Sequence, residues 1–371
     1  MTAGSQSWMA LQGIANPYRE WHSRYPGRRA FGYLCPYAPL ELLHAAGFTP
    51  VRLMQLSGAV VLADAHLPAF ACALVRTVTE RMLSGELDCL DGVLFVHTCD
   101  TMQCAADIWR MAGPRFRVLN LSLSSVLNQT SAYDYVLTSL RGLAATLQSA
   151  FGAGVTEEAL HASIALYNEQ RQLLAALYEH RRQMPVDQLW SLTLAGMLMP
   201  VEEHIAVLRE VLRQAEERVT HSQGPEVILV GAVLDDLTIP RLVAELGGQL
   251  VGDDLCTGSR YFDTLASEQK EPYAALAERY LQRPPCPAKH DEARPHAQRV
   301  LDLVRSSNAQ GVIFALPKFC DPHAFDYVPL AKALADAGIP HLLIETEVTV
   351  PAGQLRTRVQ AFLEMLQSAP A

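Results

Sequence analysis

Twice in this chain a short, wholly apolar run stops at a cysteine–aspartate pair. Gly92-Val93-Leu94-Phe95-Val96 leads into His97-Thr98-Cys99-Asp100, and Val312-Ile313-Phe314-Ala315-Leu316 leads through a proline to Cys320-Asp321-Pro322-His323. A run that is apolar at every position, too short for a helix and bounded by loop residues, reads as a strand buried on both faces. Strands of that kind belong to parallel sheets covered by helices, so the fold class is α/β. In such sheets ligands bind in the crevice at the carboxyl ends of the strands, where both cysteines lie. A free cysteine is also an ordinary small core residue, and the pattern alone does not choose between the two readings.

The rest of the chain extends the pattern. Residues 1–30 carry Trp8, Tyr18, Trp21 and Tyr25 among several arginines and read as a helical arm, whose Tyr18 and Trp21 suit a subunit interface or core packing equally. Ala30–Leu34 reads as a strand, Leu40–Ala46 as a helix ended by Gly47, and Val51–Leu56 as a second strand, a spacing that implies parallel pairing with a right-handed crossover. A loop at 63–70, a helix beginning at Cys72 and a strand at 118–121 complete a first α/β domain over 31–150. Residues 151–222 are expected to form a helical spacer, opened by Thr156-Glu157-Glu158. A second α/β domain over 223–371 is expected to hold strands at 227–230, 249–251, 312–316 and 341–344. Its helices are expected near 240–246, 330–337 and 354–366, with a proline-rich surface loop at 280–296. A cleft between two such halves is the default site.

Charge and cysteine usage narrow the function. Lys and Arg number 30 against 39 Asp and Glu, a formal charge of −9, and no dense basic stripe exists to displace phosphate counterions, which excludes nucleic acid as a partner. No apolar run approaches the ~20 residues of a membrane span, and the N-terminus lacks the basic head and apolar stretch of a signal peptide, so the expected location is the cytoplasm. In that reducing compartment the eight cysteines are expected to serve metal or redox chemistry rather than disulfides. Cys35, Cys99, Cys256 and Cys320 each follow a predicted strand. Cys72 begins a helix, whose free amides and dipole favour a thiolate. Thiolates brought from separate loops to a cleft suit an iron–sulfur cluster, although no compact CxxC motif is present and spacing alone leaves the ligand set open. Cys89 and Cys104 are expected to be spare, since Cys104 would not stack on Cys99 along a helix.

The stretches GYLCPYAPLELLHAAGFTPVRL at 32–53, CALVRT at 72–77, HTCDTMQ at 97–103, DDLCTGSRYF at 253–262, KFCDPHAFDY at 318–327 and IETEVTVPAGQLRTRVQAFLEML at 344–366 carry a resemblance. In this order they resemble the smaller, D-component-like subunits of the 2-hydroxyacyl-CoA dehydratase and benzoyl-CoA reductase family. The resemblance implies two Rossmann-like (flavodoxin-like) parallel-sheet domains, with Cys72, Cys99 and Cys320 binding a [4Fe-4S] cluster in the cleft between them. It implies a sister subunit, an acyl-CoA substrate, and a separate ATP-hydrolysing iron–sulfur activator that injects one low-potential electron. The chain itself contains no GxxxxGK[ST] phosphate loop. Cys35, Cys256 and Cys286 also stand where double-cubane proteins of the same superfamily place further ligands, so a homodimeric [8Fe-9S] reductase of small molecules is the alternative. A non-catalytic scaffold or zinc-binding relative is the third reading.

Other residues carry a functional and a bland reading side by side. His97 and His323 are candidates for hydrogen bonds to cluster sulfur or for acid–base work, with Asp321 near enough in sequence to orient His323; capping a strand would account for either histidine. Ser259 and Arg260 suit the phosphates or pantetheine of CoA, or simple loop anchoring. Glu345 and Glu347 end the last strand as acid–base candidates or as solvated carboxylates. Glu41 is expected to complement a helix N-terminus.

Overall fold

A computed structural model of the chain describes residues 17–55, 58–215, 224–293, 295–347 and 352–368. Among them are two four-stranded sheets, parallel throughout. The first comprises β1 (Arg29–Tyr33), β2 (Phe48–Arg52), β3 (Gly92–Val96) and β4 (Arg117–Leu121) in the order β2-β1-β3-β4. The second repeats that order as β6-β5-β7-β8, with β5 at Glu226–Gly231, β6 at Gln249–Asp254, β7 at Gly311–Pro317 and β8 at His341–Thr346. The central strands β3 and β7 are buried at every residue, as their apolar runs require, whereas the edge strands β4 and β8 expose polar positions. Close packing fixes the register: Gly92 sits opposite Phe31, and a Cβ on it would lie 2.5 Å from the Phe31 ring.

Fourteen α-helices occur among the described residues. In the first half they are α1 (Trp21–Arg24), α2 (Leu40–Ala45), α3 (Ala73–Leu83), α4 (Asp100–Ala112) and α5 (Thr130–Phe151), then α6 (Glu157–Glu179), α7 (Val186–Ala195) and α8 (Val201–Ala215). Then come α9 (Thr238–Glu245), α10 (Ser259–Phe262), α11 (Pro272–Gln282), α12 (His296–Ser307), α13 (Asp321–Asp336) and α14 (Ala352–Ser368). Their starts and stops follow local chemistry. Thr156 caps α6 by accepting from the Ala159 amide, and Gly113 and Gly152 end α4 and α5 in the left-handed conformation. On α4, Met102, Ala105, Ala106 and Trp109 make the buried stripe, each large side chain contributing ~1.5–3 kcal/mol.

One continuous core joins the first sheet to α6, α8 and α11, through Phe31, Phe95, Leu174, Leu208 and Tyr280 among others. The second sheet has a separate core on each face, around Leu229, Ile313 and Val359 on one side and Ile228, Phe314 and Leu334 on the other. Helix α11 lies between β6 and β7 in sequence but packs on α5 and α6, which ties the two halves together. No helix among the described residues is long and apolar enough to cross a membrane.

Several boundaries differ from the sequence expectation. The second strand is Phe48–Arg52 rather than 51–56. Pro50 masked it, although a residue without an N–H is tolerated on an edge strand such as β2. The helix expected at 330–337 begins at Asp321, with Pro322 in its first turn, and runs through Pro329. The stretch 280–296 is not a surface loop: α11 occupies its start, α12 begins at its end, and Arg283, Cys286, Lys289 and Asp291 are buried. It is stitched to the first half by Arg283 Nη1, which donates to the Pro36 carbonyl (2.6 Å), and by the His290 amide, which donates to the Ser125 carbonyl (2.7 Å). Tyr18 and Trp21 pack inside the chain, the Tyr18 hydroxyl donating to the Arg52 carbonyl and accepting from the Met54 amide. Trp8 lies outside the described residues, as do residues 216–222 of the expected helical spacer.

Candidate functional site

In both sheets the strand order reverses direction next to the first strand, between β1 and β3 and between β5 and β7, and a crevice opens there at the carboxyl ends. The two crevices meet in one cavity of ≈ 100 Å³. Six cysteines line it: Cys35 beyond β1, Cys72 before α3, Cys99 between β3 and α4, Cys256 beyond β6, Cys286 beyond α11, and Cys320 between β7 and α13. Cys72, Cys99 and Cys320 are the N-caps of their helices. Phe319, immediately before Cys320, is held at φ +62°, a conformation costly for a residue with a side chain. Cys89 and Cys104 do not line the cavity, and Cys104 is exposed on α4.

The thiols fall into two groups by the charge each would place on its neighbours. Cys320 is disfavoured as a thiolate by Cys72 and Cys99, and Cys72 by Cys99. Cys35 is disfavoured by Cys256 and Cys286, and Cys256 by Cys286; Cys256 also acts on Cys320 and so links the groups. Burial is the larger effect throughout, pushing Cys72 up to about 11 and Cys35 up to about 12. This corrects the sequence expectation for Cys72. The Val75 and Leu74 amides at the start of α3 do favour its thiolate, but loss of water outweighs them. Thiols in such a place ionise when a cation takes the proton's place. Among the described residues no three His, Cys, Asp or Glu side chains converge closely enough to hold a single metal ion. A cluster, in contrast, offers each thiolate its own iron.

His323 lines the cavity with Nδ1 3.3 Å from Cys320 Sγ; its Nε2 is buried without a hydrogen-bond partner, and burial pushes its pKa down to about 3. Its side-chain partner is therefore Cys320, three residues away on the same helical turn, and not Asp321, and the Gly231 backbone also acts on it. His97 Nδ1 pairs with Ser122 Oγ at 2.9 Å, and its Nε2 is likewise buried and unpartnered. Ser259 is a loop anchor, its amide and hydroxyl both donating to Asp253. Arg260 does line the cavity, yet its guanidinium is bound to Asp254 (2.5 Å), within a buried network of His296, Arg299 and Asp326. Glu345 is exposed at the end of β8, and Glu347 pairs with Lys318 at 2.5 Å; neither lines the cavity. Glu41 lies in the first turn of α2, as expected of a charge that complements a helix N-terminus, and is also buried in an ion pair with Arg171 at 2.5 Å. Sequence reasoning missed the cations of the cavity wall, Arg52 and Arg283. Arg52 ends a strand that Pro50 conceals, and Arg283 lies in the stretch that reads as a surface loop.

A family model described as 2-hydroxyglutaryl-CoA dehydratase, D-component, matches residues 35–366. The chain is 28% identical over 363 residues to the (R)-phenyllactyl-CoA dehydratase beta subunit of Clostridium sporogenes, covering 95% of this chain and 96% of that one. It is 29% identical to the lactoyl-CoA dehydratase subunit beta of Anaerotignum propionicum, covering 92% of each. To a benzoyl-CoA reductase subunit of Thauera aromatica it is 28% identical, covering 87% of each.

Proposed function

The chain belongs to the 2-hydroxyglutaryl-CoA dehydratase D-component family, and on that footing we propose that it is the iron–sulfur subunit of an enzyme acting on an acyl-CoA thioester, a 2-hydroxyacyl-CoA dehydratase or a benzoyl-CoA reductase. The observation that carries the proposal is the meeting of Cys72, Cys99 and Cys320, from three helix N-caps and both sheets, on one buried cavity. The residues present fit a [4Fe-4S] cluster: three thiols that act on one another surround a largely apolar space, and His323 on its wall brings Nδ1 to 3.3 Å from Cys320 Sγ. Bound there, the cluster would supply a low-potential one-electron carrier.

The chain's own part is to hold and insulate. Cys72, Cys99 and Cys320 provide the thiolates. His323 Nδ1–H, 3.3 Å from Cys320 Sγ, would donate to that sulfur once it is ionised and so orient it. Leu34, Leu74 and Met102 keep water from the sulfurs. Relatives at 28–29% identity are named as subunits, which supports a sister subunit here. With no phosphate loop in the chain, ATP would be handled by a separate iron–sulfur activator.

A second reading is favoured by one observation: Cys35, Cys256 and Cys286 line the same cavity as the first three, as a double-cubane [8Fe-9S] reductase would require. Iron and sulfide per chain after anaerobic purification separate the two readings, at about four irons against about eight. On the first reading Cys72→Ser, Cys99→Ser and Cys320→Ser each lose the cluster, while Cys35→Ser, Cys256→Ser and Cys286→Ser keep it. Loss of half the iron in the latter set establishes the second reading, and tight zinc with no iron refutes both.

A further inference from the structure

The two ends of the cavity differ in charge. Around Cys72 and Cys99 the charges that act are acidic, from Asp321 and, for Cys99, Asp100. Around Cys35 and Cys256 they include guanidinium groups, Arg52 acting on both thiols and Arg260 on Cys256. Arg52 is completely buried. Its Nη1 donates to the Cys256 carbonyl at 2.6 Å, but Nε and Nη2 have no hydrogen-bond partner. Nη1 of Arg260 is buried and unpartnered as well. The acid acting on Arg52, Asp235, accepts from the Gln55 amide and supplies no acceptor to Nε or Nη2 of the guanidinium. A buried guanidinium with idle N–H groups opposes folding unless something else supplies the acceptors.

We propose that Arg52 and Arg260 are positioning residues whose unpartnered N–H groups donate to the anionic, sulfide-bearing face of a metal–sulfur cluster at the Cys35–Cys256–Cys286 end of the cavity. The inference rests on the reading that the cavity holds such a cluster and that the cluster reaches the Cys35–Cys256–Cys286 end, as the eight-iron form does; about four irons per chain, held by Cys72, Cys99 and Cys320 alone, overturns it. Sulfide and thiolate carry the negative charge and accept N–H hydrogen bonds, so the cluster provides what Asp235 does not.

The test is a reversal of sign between the metal-free and the loaded protein. Arg52→Met fills the same space without charge. After chelation it is expected to unfold at a temperature equal to the parent's or higher by about 2 °C or more, because an unpaired buried charge has gone. In the anaerobically loaded protein the same variant is expected to release iron to a chelator about tenfold faster or more, the effect of one lost charge-assisted hydrogen bond. Arg52→Lys, which keeps the charge but loses the planar fork, should fall between. A variant that destabilises both forms alike, or fails to fold without metal, shows Arg52 to be structural and overturns the proposal, as does an unchanged release rate. A parent protein that binds no iron overturns the functional reading itself and this inference with it.

Discussion

Stripped of metal, the cavity thiols should be sluggish nucleophiles at neutral pH, and Cys72 allows the size of the effect to be worked out. Burial moves it from the ordinary 9 up to about 11, so at pH 7 about one molecule in 10⁴ carries the thiolate, a cost of ~5 kcal/mol for each such thiol ionised without a metal. Relative to the unfolded chain the thiolate fraction falls about a hundredfold. The more basic thiolate recovers roughly tenfold in nucleophilicity, leaving about a tenfold net slowing before restricted access is counted. Iodoacetamide labelling of the chelated, folded protein, read peptide by peptide against a urea-unfolded sample, measures this directly. The rate at Cys72 should rise by about one decade per pH unit from pH 7 to 10 without levelling. A rate that matches the unfolded chain, or a plateau near pH 8, would mean that the amides at the start of α3 outweigh desolvation, and the reasoning would be wrong. Because loading must expel these protons, cluster uptake should also strengthen as pH rises.

Three further outcomes follow from the scaffold. Glu41→Gln leaves Arg171 buried without its carboxylate and should lower stability to urea by roughly 3–5 kcal/mol; a change below about 1 kcal/mol would show that the pair is solvated. His204 is fully buried, donates from Nε2 to the Leu192 carbonyl, accepts at Nδ1 from Gln170, and is pushed down to about 4. Its folded value lies below its unfolded value of 6.5, so its contribution is intact above pH 6.5 and should decline by ~3 kcal/mol as pH falls toward 4. His204→Asn should flatten that part of the stability profile, and an unaltered slope would assign the acid sensitivity elsewhere. Gly231 ends β5 beside the cavity, where a Cβ would lie 2.1 Å from the Ala315 carbonyl oxygen; Gly231→Ala should push β5 from β7, and unchanged thermal stability would contradict the strand spacing.

Most of the frame was legible because its central strands leave no ambiguity: a five-residue run such as Gly92–Val96 has no polar face to present to solvent. The cysteines at the strand ends could be found by the same logic, since a crevice forms wherever the strand order reverses. Two kinds of feature escaped. Prolines conceal β2, the first part of α13 and the buried 283–293 stretch, because each reads locally as a break; yet Pro50 lies on an edge strand, and Pro322 belongs in a first helical turn. The long-range electrostatics also escaped. Nothing local in the sequence says that Arg52 would meet Cys256, 204 positions away, and only the family resemblance, not any local pattern, put Cys286 with Cys35, whose cavity it lines. The thiolate expected at Cys72 failed for a related reason, since a helix start is visible in sequence and the surrounding loss of water is not.

Iron-edge anomalous scattering from a crystal of the anaerobically purified protein locates the metal without reference to activity. The expected result is an anomalous peak inside the cavity, bonded to the sulfurs of Cys72, Cys99 and Cys320. Iron found elsewhere, or a cavity without iron in protein that carries it by analysis, would contradict the account.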